Sequence, residues 1–204
     1  HDPVSNRINF VAETARRWID LTKTPKHNRK IAVILANYPN KDGRLGNGVG
    51  LDTPAGVVAT LHRLTNEGYA LGNNVPATSG QLMEMLLAGP TNAAGIRHGG
   101  QSIPVNTYKT YFATLPAAIQ AELTERWGPV ENDPFIEYDH FVLPIHFFGN
   151  VVIGVQPARG YNIDPVASYH DPDLVPPHGY LAFYLWLREE FGTHAIIHFG
   201  KHGN

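Results

Sequence analysis

The amino-acid sequence predicts an α/β fold, with a mostly parallel sheet flanked by helices and a β-hairpin near residues 141–156. First, residues 31–36 form a short, continuous apolar run, which is typical of a strand buried on both faces. Second, a glycine-rich loop and a helical pattern follow that run, and this order makes half of a βαβ unit. Third, strand and helix patterns alternate again near the end of the sequence. There, an apolar strand at 151–156 is followed by a strongly apolar helix and a closing strand at 194–199.

The first part of the chain is expected to differ from the rest. Residues 1–30 are predicted to form a leading helix and a connector, and residues 31–204 the α/β core. Between residues 5 and 22 the apolar side chains share one helical face. They are Ile8, Val11, Ala15 and Trp18.

The two helices after the first strand carry clear end signals. Thr53 is a suitable N-cap, Pro54 suits the first helical position, and Gly68 suits the position after the helix. In the next helix, Thr78 and Gln81 have the spacing of a capping box. These signals place two helices directly after the predicted strand.

The middle of the chain is less regular. Residues 90–106 are expected to form a long loop, and loops of that length are usually functional or mobile. Two helices are predicted next, at 107–115 and 116–127. Farther along, Gly149-Asn150 is a two-residue hairpin turn between β-rich segments, and the apolar pattern of 177–191 predicts a buried helix.

The composition excludes several classes of function. The formal net charge is −2 and no run of Lys or Arg occurs, so nothing favours binding to nucleic acid. No apolar run reaches the roughly 18 residues that a membrane-spanning helix needs. The absence of cysteine excludes disulfides, zinc–thiolate sites and cysteine nucleophiles, and we expect a cytoplasmic protein.

The glycine-rich loop at 43–50 has two interpretations. It lacks the Lys-Ser/Thr of a P-loop and the GxGxxG spacing of a dinucleotide fold, which favours a tight structural loop. The alternative is a ligand cradle, because backbone amides at the start of the helix after Thr53 are able to hold a carboxylate or amide oxygen.

Seven of the eleven histidines lie between His140 and His202. Three of them, His194, His198 and His202, are spaced four residues apart at the predicted closing strand. His194 begins that strand and is expected to be structural. His198 and His202 lie near its carboxyl end, the edge at which open α/β sheets bind ligands. Because no cysteine or dense acidic cluster accompanies them, a permanent metal site is disfavoured, and a transient site of imidazole and oxygen ligands stays open.

Polar groups also follow the strand at 151–156. Gln156, Arg159 and Tyr161 present an amide, a guanidinium and a phenol close together in sequence. Arg159 is suited to bidentate capture of a carboxylate, and a surface ion pair is the alternative. His178 begins the apolar helix, where a helix N-terminus disfavours imidazolium.

Four separated stretches resemble a known family. They are ANYPNKDGRLGNGVGLDTP (36–54), GNVVIGVQPARGYNIDP (149–165), YHDPDLVPPHGYLAFYLWLRE (169–189) and HFGKHGN (198–204). These stretches are similar to the large subunit of the metal chelatases that load tetrapyrroles, the family of CobN and the magnesium chelatase H protein. Lys201, the loop before the apolar helix and the Ala-Arg after Val-Gln-Pro resemble the cobalt branch.

The resemblance implies an ATP-dependent ligase that forms nitrogen–metal bonds. In the cobalt branch, the large subunit binds hydrogenobyrinic acid a,c-diamide for the insertion of Co²⁺ in cobalamin biosynthesis, so cobalt is the substrate metal. Partner subunits of the AAA+ ATPase type, CobS and CobT, use the ATP. The absence of a nucleotide motif in this sequence agrees with ATP binding on those partners.

The resemblance also suggests roles for individual residues. His198 and His202 are the candidate catalytic residues and metal ligands, because imidazole accepts protons near neutral pH. The candidate macrocycle-binding residues are Asn37, Tyr38, Gln156, Arg159, Tyr161, His178 and Lys201.

The sequence stops at Asn204, inside a motif that the family continues with a Leu-Glu-aromatic segment. We therefore expect residues 1–204 to be a fragment of a larger chelatase subunit that is inactive alone. The alternatives are a fragment of a magnesium chelatase H protein, which acts on protoporphyrin IX, and a non-catalytic macrocycle-binding module. A sugar- or nucleotide-binding α/β domain is disfavoured because phosphate motifs are missing.

Overall fold

The structure is a computed structural model that describes residues 4–37, 42–48, 50–93, 97–160 and 174–200. It contains six α-helices in that part of the chain. They are α1 (Ser5–Lys23), α2 (Thr53–Asn66), α3 (Ser79–Ala88), α4 (Val105–Phe112), α5 (Ala117–Trp127) and α6 (His178–Leu185), and α6 continues as a π-helical turn (Trp186–Glu190).

Nine strands accompany these helices in the described residues. They are β1 (Ile31–Leu35), β2 (Asn47–Gly48), β3 (Leu51–Asp52), β4 (Gln101–Pro104), β5 (Ile136–Glu137), β6 (His140–Leu143), β7 (Ile145–Phe148), β8 (Val151–Val155) and β9 (Ala195–Phe199).

The main sheet has the strand order β7-β8-β1-β9. Strand β1 is parallel to both neighbours, and its last residue, Leu35, lies opposite Val155 of β8 and Phe199 of β9. Strand β7 is antiparallel to β8 and forms the hairpin that the sequence predicts. The predicted α/β class with a mostly parallel sheet is confirmed. Because three parallel strands end in register, the chain leaves all of them at one edge of the sheet.

Strands β1 and β8 are buried along their whole length, as a continuous apolar run predicts. Alternate side chains enter two cores on opposite faces of the sheet. Ala32, Ile34 and Val152 pack in one core with residues of α4 and α6, and Val33 and Leu35 pack in the other with residues of α2 and α3. The sheet is therefore covered by helices on both faces.

The turn at Gly149-Asn150 also connects the sheet to the segment after α2. Gly149 has a φ of +59°, and a Cβ there would lie 2.5 Å from the carbonyl oxygen of Ala70. The backbone N–H of Asn150 donates to that same oxygen at 2.7 Å. Glycine is thus required at this turn both for its backbone conformation and for the close approach of residue 70.

A second, three-stranded antiparallel sheet has the order β4-β6-β5. The prediction of a continuous loop over residues 90–106 is wrong here, because Gln101–Pro104 pairs with His140–Leu143. Only Ile103 of this strand is buried, and the strand contains a proline, so its sequence carries no alternation that identifies it. Long-range pairing with β6 forms this strand.

The observed helix ends agree with the sequence signals, except that the N-cap of α2 is shifted by one residue. Asp52, and not Thr53, is the N-cap of α2, and its side chain accepts a hydrogen bond from the N–H of Ala55 at 3.1 Å. Thr78 caps α3 by accepting from the N–H of Gln81, as predicted. Gly68 follows the end of α2 with a positive φ, also as predicted.

Helix α1 forms as predicted, but its apolar face is exposed in the described structure. All residues from 7 to 19 are exposed, including Ile8 and Trp18, which are 50% and 67% accessible. Its charged side chains pair with one another, since Arg16 contacts both Glu13 and Asp20. No helix among the described residues is long and apolar enough to cross a membrane.

Candidate functional site

The candidate site lies where β1, β8 and β9 end. After β1 the chain continues to Asn37, and after β8 to Gln156, whose N–H donates to the carbonyl of Leu35 at 2.9 Å. His198 lies in β9 opposite Ile34, one residue before the strand ends. Parallel strands therefore bring three of the predicted site residues to one sheet edge, the edge at which open α/β sheets bind ligands.

Asn37 is a buried amide with an unmet hydrogen-bonding capacity. Its side chain is only 4% exposed, and its backbone forms a bridge with Leu45. Within the described residues, neither its Oδ1 nor its Nδ2 atom has a hydrogen-bond partner. A buried polar group without a partner costs about 1–3 kcal/mol, so such groups are rare in folded proteins unless a ligand or water completes them.

Gln156 is held by its backbone and leaves part of its side chain unpaired. Its carbonyl accepts from Nδ2 of Asn92 at 2.8 Å, and Oδ1 of Asn92 accepts from the N–H of Ala158 at 3.2 Å. Asn92 thus fixes the path of the chain on both sides of residue 157. The Nε2 atom of Gln156 is buried and has no partner in the part of the chain that the structure describes.

Thr53 adds a third buried group at the start of α2. Its Oγ1 is unpartnered among the described residues, and the residue is fully buried. A Cβ at Gly48 would lie 3.2 Å from this oxygen, so the hydroxyl is next to the glycine-rich segment. A Cβ at Gly46 would lie 3.5 Å from Cδ2 of Leu35 and 3.6 Å from Cγ of Pro54, so the end of β1 and the start of α2 meet across Gly46.

A polar network fixes the glycine-rich segment to the chain beyond α3. Asp42 pairs with Arg97 and also accepts from the hydroxyl of Thr91 at 2.7 Å. Arg97 donates in addition to the carbonyl of Leu87 at 2.9 Å. The part of the loop that the structure describes is therefore a tight, anchored turn, in agreement with the structural interpretation of its glycines.

His198 differs from these groups because it is exposed. It is on the same sheet face as Ile34 and Gly154, and α6 covers that face, where Phe183 approaches Gly154. No group of three or more His, Asp or Glu with metal-binding geometry occurs among the described residues. His202, the second predicted ligand, lies outside them, as do Tyr38, Tyr161 and Lys201.

Arg159 follows β8 and remains half-buried. Its Nη2 donates to the carbonyl of Leu174 at 3.4 Å, a long contact that leaves most of the guanidinium donors unused by that bond. This contact connects the two ends of the chain on either side of residues 161–173.

His178 has both ring nitrogens engaged. Its Nδ1 lies 2.9 Å from the Tyr108 hydroxyl and its Nε2 lies 3.1 Å from the carbonyl of Gly128. A carbonyl only accepts, so Nε2–H donates to it, and in the neutral form of the ring Nδ1 accepts from the Tyr108 hydroxyl. Burial, and then the negative charge of Asp133, raise the pKa of Tyr108, so its hydroxyl keeps the proton that it donates. This buried ring joins α6 to α4 and the end of α5.

A separate groove lies at the opposite edge of the main sheet. It has a volume of about 350 Å³ and is lined by Tyr184, His194 and Ile196 among others. His194 precedes β9, and its Nδ1 accepts from the N–H of Lys30 at 2.9 Å, which agrees with the structural role expected for it. The groove is therefore at the amino end of β9, away from Asn37 and Gln156.

Two residues of the candidate site, Thr53 and Asn92, are not assigned to it by any pattern in the sequence. The sequence predicts Thr53 only as a helix cap, and Asn92 lies in a stretch expected to be a loop. Their importance comes from burial and long-range contacts, which a single sequence does not reveal.

Comparisons with known proteins agree with the resemblance of the sequence. A family model described as CobN/Magnesium Chelatase matches residues 1–204. The chain is 55% identical over its full length to the aerobic cobaltochelatase protein CobN of Sinorhizobium sp. It is 30% identical over its full length to the magnesium chelatase H protein of Chlorobaculum parvum. It covers 16% of each of these relatives.

A solved structure has the same fold. The catalytic subunit of cobaltochelatase from Mycobacterium tuberculosis matches with a TM-score of 0.77 and 36% sequence identity, over 92% of this chain and 16% of that one. The match of the family model spans the whole chain, and the relative from Sinorhizobium sp is well above 30% identical. The chain belongs to the CobN/magnesium chelatase family.

Proposed function

We propose that this chain is a segment of the large, tetrapyrrole-binding subunit of an ATP-dependent cobaltochelatase. That enzyme inserts Co²⁺ into hydrogenobyrinic acid a,c-diamide in cobalamin biosynthesis. Identity to two relatives named as CobN of aerobic cobaltochelatase is 55% and 45%, against 30% for the magnesium chelatase H protein of Chlorobaculum parvum. This difference favours the cobalt branch over the magnesium alternative.

The observation that carries the proposal is the sheet edge at which β1, β8 and β9 end. Asn37 and Gln156, with buried amides, and His198, with an exposed imidazole, lie at the ends of β1, β8 and β9, which β1 holds in register. Unpaired buried amides are suited to polar substituents of a macrocycle, and an exposed imidazole is suited to its reacting centre. Both kinds of group are needed to bind a tetrapyrrole and act on it.

The chemistry assigned to this edge is proton transfer and transient metal binding. Metal insertion removes water from Co²⁺, deforms the macrocycle and releases the N–H proton of the corrin ring. Neutral imidazole accepts protons near pH 7 and binds divalent metals, so His198 and His202 are proposed to receive this proton and to hold the incoming Co²⁺ weakly.

Macrocycle binding is assigned to the residues around the same edge. Arg159 is proposed to pair with a peripheral carboxylate, because among the described residues its guanidinium donates one long hydrogen bond, at 3.4 Å. Lys201 is proposed to do the same, and Tyr38 and Tyr161 to pack on the macrocycle face. His178 has no free ring nitrogen, so its role is proposed to be positioning of α6.

ATP hydrolysis is assigned to other chains. Two AAA+-type subunits of the CobS and CobT kind are proposed to drive insertion, in the cytoplasm. The 204-residue segment alone is proposed to be inactive, because the chain spans 16% of its relatives.

The proposal is tested by titrating the full-length subunit that contains this segment with hydrogenobyrinic acid a,c-diamide and, separately, with protoporphyrin IX. Macrocycle absorbance and tryptophan fluorescence report binding. Preferential binding of the corrinoid precursor is expected. Preferential binding of protoporphyrin IX would refute the cobalt assignment, and binding of neither macrocycle would refute the tetrapyrrole assignment.

A further inference from the structure

The backbone that leaves β8 is held on both sides of a proline by one buried side chain. Asn92 is only 6% exposed, and its Nδ2 atom donates to the carbonyl of Gln156 at 2.8 Å. Its Oδ1 atom accepts from the N–H of Ala158 at 3.2 Å. Pro157 has no N–H of its own, so a single side-chain amide meets the backbone groups that flank it. An amide is suited to this pair of bonds because it carries both a donor and an acceptor.

The residue before Asn92 connects the same segment to the loop after β1. The Thr91 hydroxyl donates to Oδ1 of Asp42 at 2.7 Å, and Asp42 also pairs with Arg97. Asp42 precedes Thr91 by 49 residues, and Gln156 follows Asn92 by 64 residues, so neither contact is local. Thr91 and Asn92, which we call the Thr91–Asn92 brace, therefore hold the chain beyond two neighbouring parallel strands.

The position of Arg159 depends on this brace. Arg159 follows Ala158 directly, and its guanidinium donates one hydrogen bond among the described residues, at 3.4 Å to the carbonyl of Leu174. A bond of that length restrains the side chain weakly. The backbone is fixed one residue earlier, by the bond from Ala158 to Asn92. Both polar atoms of the Asn92 side chain are engaged by the backbone, so its role is to hold the chain rather than to bind a ligand.

The brace does not contact the strand that carries His198. In the strand order β7-β8-β1-β9, β1 separates β9 from β8, and β9 is held by its own pairing with β1. Loosening of the segment after β8 is therefore expected to alter the groups assigned to macrocycle binding, and to leave the imidazole of His198 in place.

We propose that Asn92 is a positioning residue for macrocycle binding, because it holds the backbone of residues 156–158 so that Arg159 is placed to pair with a carboxylate of the ligand. Thr91 fixes Asn92 in turn through Asp42, so the loops after β1 and β8 are held as one unit. This inference rests on the proposed function, in which Arg159 binds a peripheral carboxylate of the macrocycle.

The test measures KM for the macrocycle and kcat for Co²⁺ insertion by the full-length subunit with its ATPase partners. Asn92→Ala is expected to raise KM for hydrogenobyrinic acid a,c-diamide about tenfold, the effect of losing one hydrogen bond to a charged group. The same variant is expected to change kcat by less than about threefold. A role in folding alone would lower the amount of active enzyme, which reduces the apparent kcat and leaves KM unchanged.

A double-mutant cycle tests whether Asn92 acts through Arg159. Arg159→Ala alone is expected to raise KM by about tenfold or more. In the Arg159→Ala background, Asn92→Ala is expected to raise KM by less than about twofold further, because the group that Asn92 positions is absent. Single effects that multiply in the double variant would overturn the assignment of Arg159 as the positioned group.

Asn150→Ala is the matched control. The Nδ2 atom of Asn150 also donates to a backbone carbonyl, that of His27, at 2.8 Å, but it does so before the amino end of β8. This variant removes the same type of bond away from the candidate site, and it is expected to keep the wild-type KM.

Thr91→Val is a milder test that does not depend on the folding of Asn92→Ala. It removes the hydroxyl that donates to Asp42 and retains the size of the side chain. We expect KM to rise by about threefold and kcat to stay unchanged, because Asn92 keeps its own bonds but loses part of its support.

The outcomes distinguish this inference from the proposed function. A wild-type KM in both Asn92→Ala and Thr91→Val overturns the positioning role and leaves the proposed function standing. An equal rise of KM in Asn92→Ala and Asn150→Ala overturns it in the same way. Absence of macrocycle binding and of Co²⁺ insertion in the wild type refutes the proposed function, and the positioning role with it.

Discussion

The N–H of Gln156 donates to the carbonyl of Leu35 at 2.9 Å, so the chain leaves β8 while still hydrogen bonded to the last residue of β1. Gln156 therefore continues the parallel pairing by one residue beyond the strands, and it lies at the edge that Asn37 also occupies. The two amides reach this edge from distant parts of the chain. The register of the sheet, and not a local motif, forms the candidate site.

Asn37→Leu is predicted to stabilise the unliganded chain. The substitution replaces two buried polar atoms, which have no partner among the described residues, by an apolar group of similar size, and such atoms cost about 1–3 kcal/mol each when they are left unsatisfied. We expect the free energy of unfolding, measured by urea denaturation, to rise by about 1 kcal/mol or more. A decrease of that size would show that the amide has partners in the unliganded chain.

The exposed face of α1 and the buried face of α6 are predicted to respond differently to truncation. Phe183 is fully buried and contacts Gly154 of β8, so Phe183→Ala is expected to lower the free energy of unfolding by about 3–5 kcal/mol. Trp18 is 67% exposed. Trp18→Ala in the 204-residue chain is therefore expected to change the free energy of unfolding by less than about 0.5 kcal/mol. Comparable losses in the two variants would mean that α1 packs on the core.

The Tyr108–His178 contact is predicted to be structural. Tyr108→Phe removes the hydroxyl that donates to Nδ1 of His178 and leaves that buried nitrogen unsatisfied. A loss of about 1–3 kcal/mol in the free energy of unfolding is expected, measured by denaturation. Tyr111→Phe, at a half-buried tyrosine on the same helix, is the control and is expected to cost less. Equal costs would contradict the structural role of the contact.

A half-buried histidine outside the site, His146, is predicted to make stability depend on pH. Burial lowers the pKa of His146, and its Nε2 has no partner among the described residues. The unfolded chain then binds the proton more readily than the folded chain, so the free energy of unfolding falls as the pH drops through about 6.5. His146→Leu is expected to reduce the difference in unfolding free energy between about pH 7.5 and about pH 5.5.

The control for this prediction is His62→Leu, because His62 is exposed on α2. That variant is expected to keep the wild-type pH dependence. If His146→Leu also kept the wild-type pH dependence, titration of the His146 imidazole would not be the source of that dependence.

The sequence predicts those features of the fold that local patterns determine. The apolar run of β1, the capping pair Thr78 and Gln81, and the turn at Gly149-Asn150 all form as expected, because each depends on neighbouring residues. Strand β4 has no such local signal, because it forms only by pairing with β6, far along the chain. Asp52 takes the cap expected of Thr53, and both residue types are common helix caps.

The candidate site is predictable only in part, for the same reason. The rule that parallel strands end at one edge accounts for the positions of Asn37, Gln156 and His198 at the ends of β1, β8 and β9. This rule does not reveal that Thr53 is buried and that its hydroxyl has no partner among the described residues. Nor does it reveal that Asn92 fixes the path of the chain beside Gln156. These features depend on contacts between distant parts of the chain.

The rate of Co²⁺ insertion by the full-length subunit with its ATPase partners tests the central claim most directly. At saturating hydrogenobyrinic acid a,c-diamide, His198→Ala and His202→Ala are expected to lower kcat by about 100-fold or more, since positioned proton acceptors contribute effects of that size. Macrocycle affinity is expected to change by less than about threefold. His62→Ala, at an exposed histidine away from the edge, is expected to retain the wild-type kcat. Wild-type insertion rates in both His198→Ala and His202→Ala would contradict the assignment of chelation to this sheet edge.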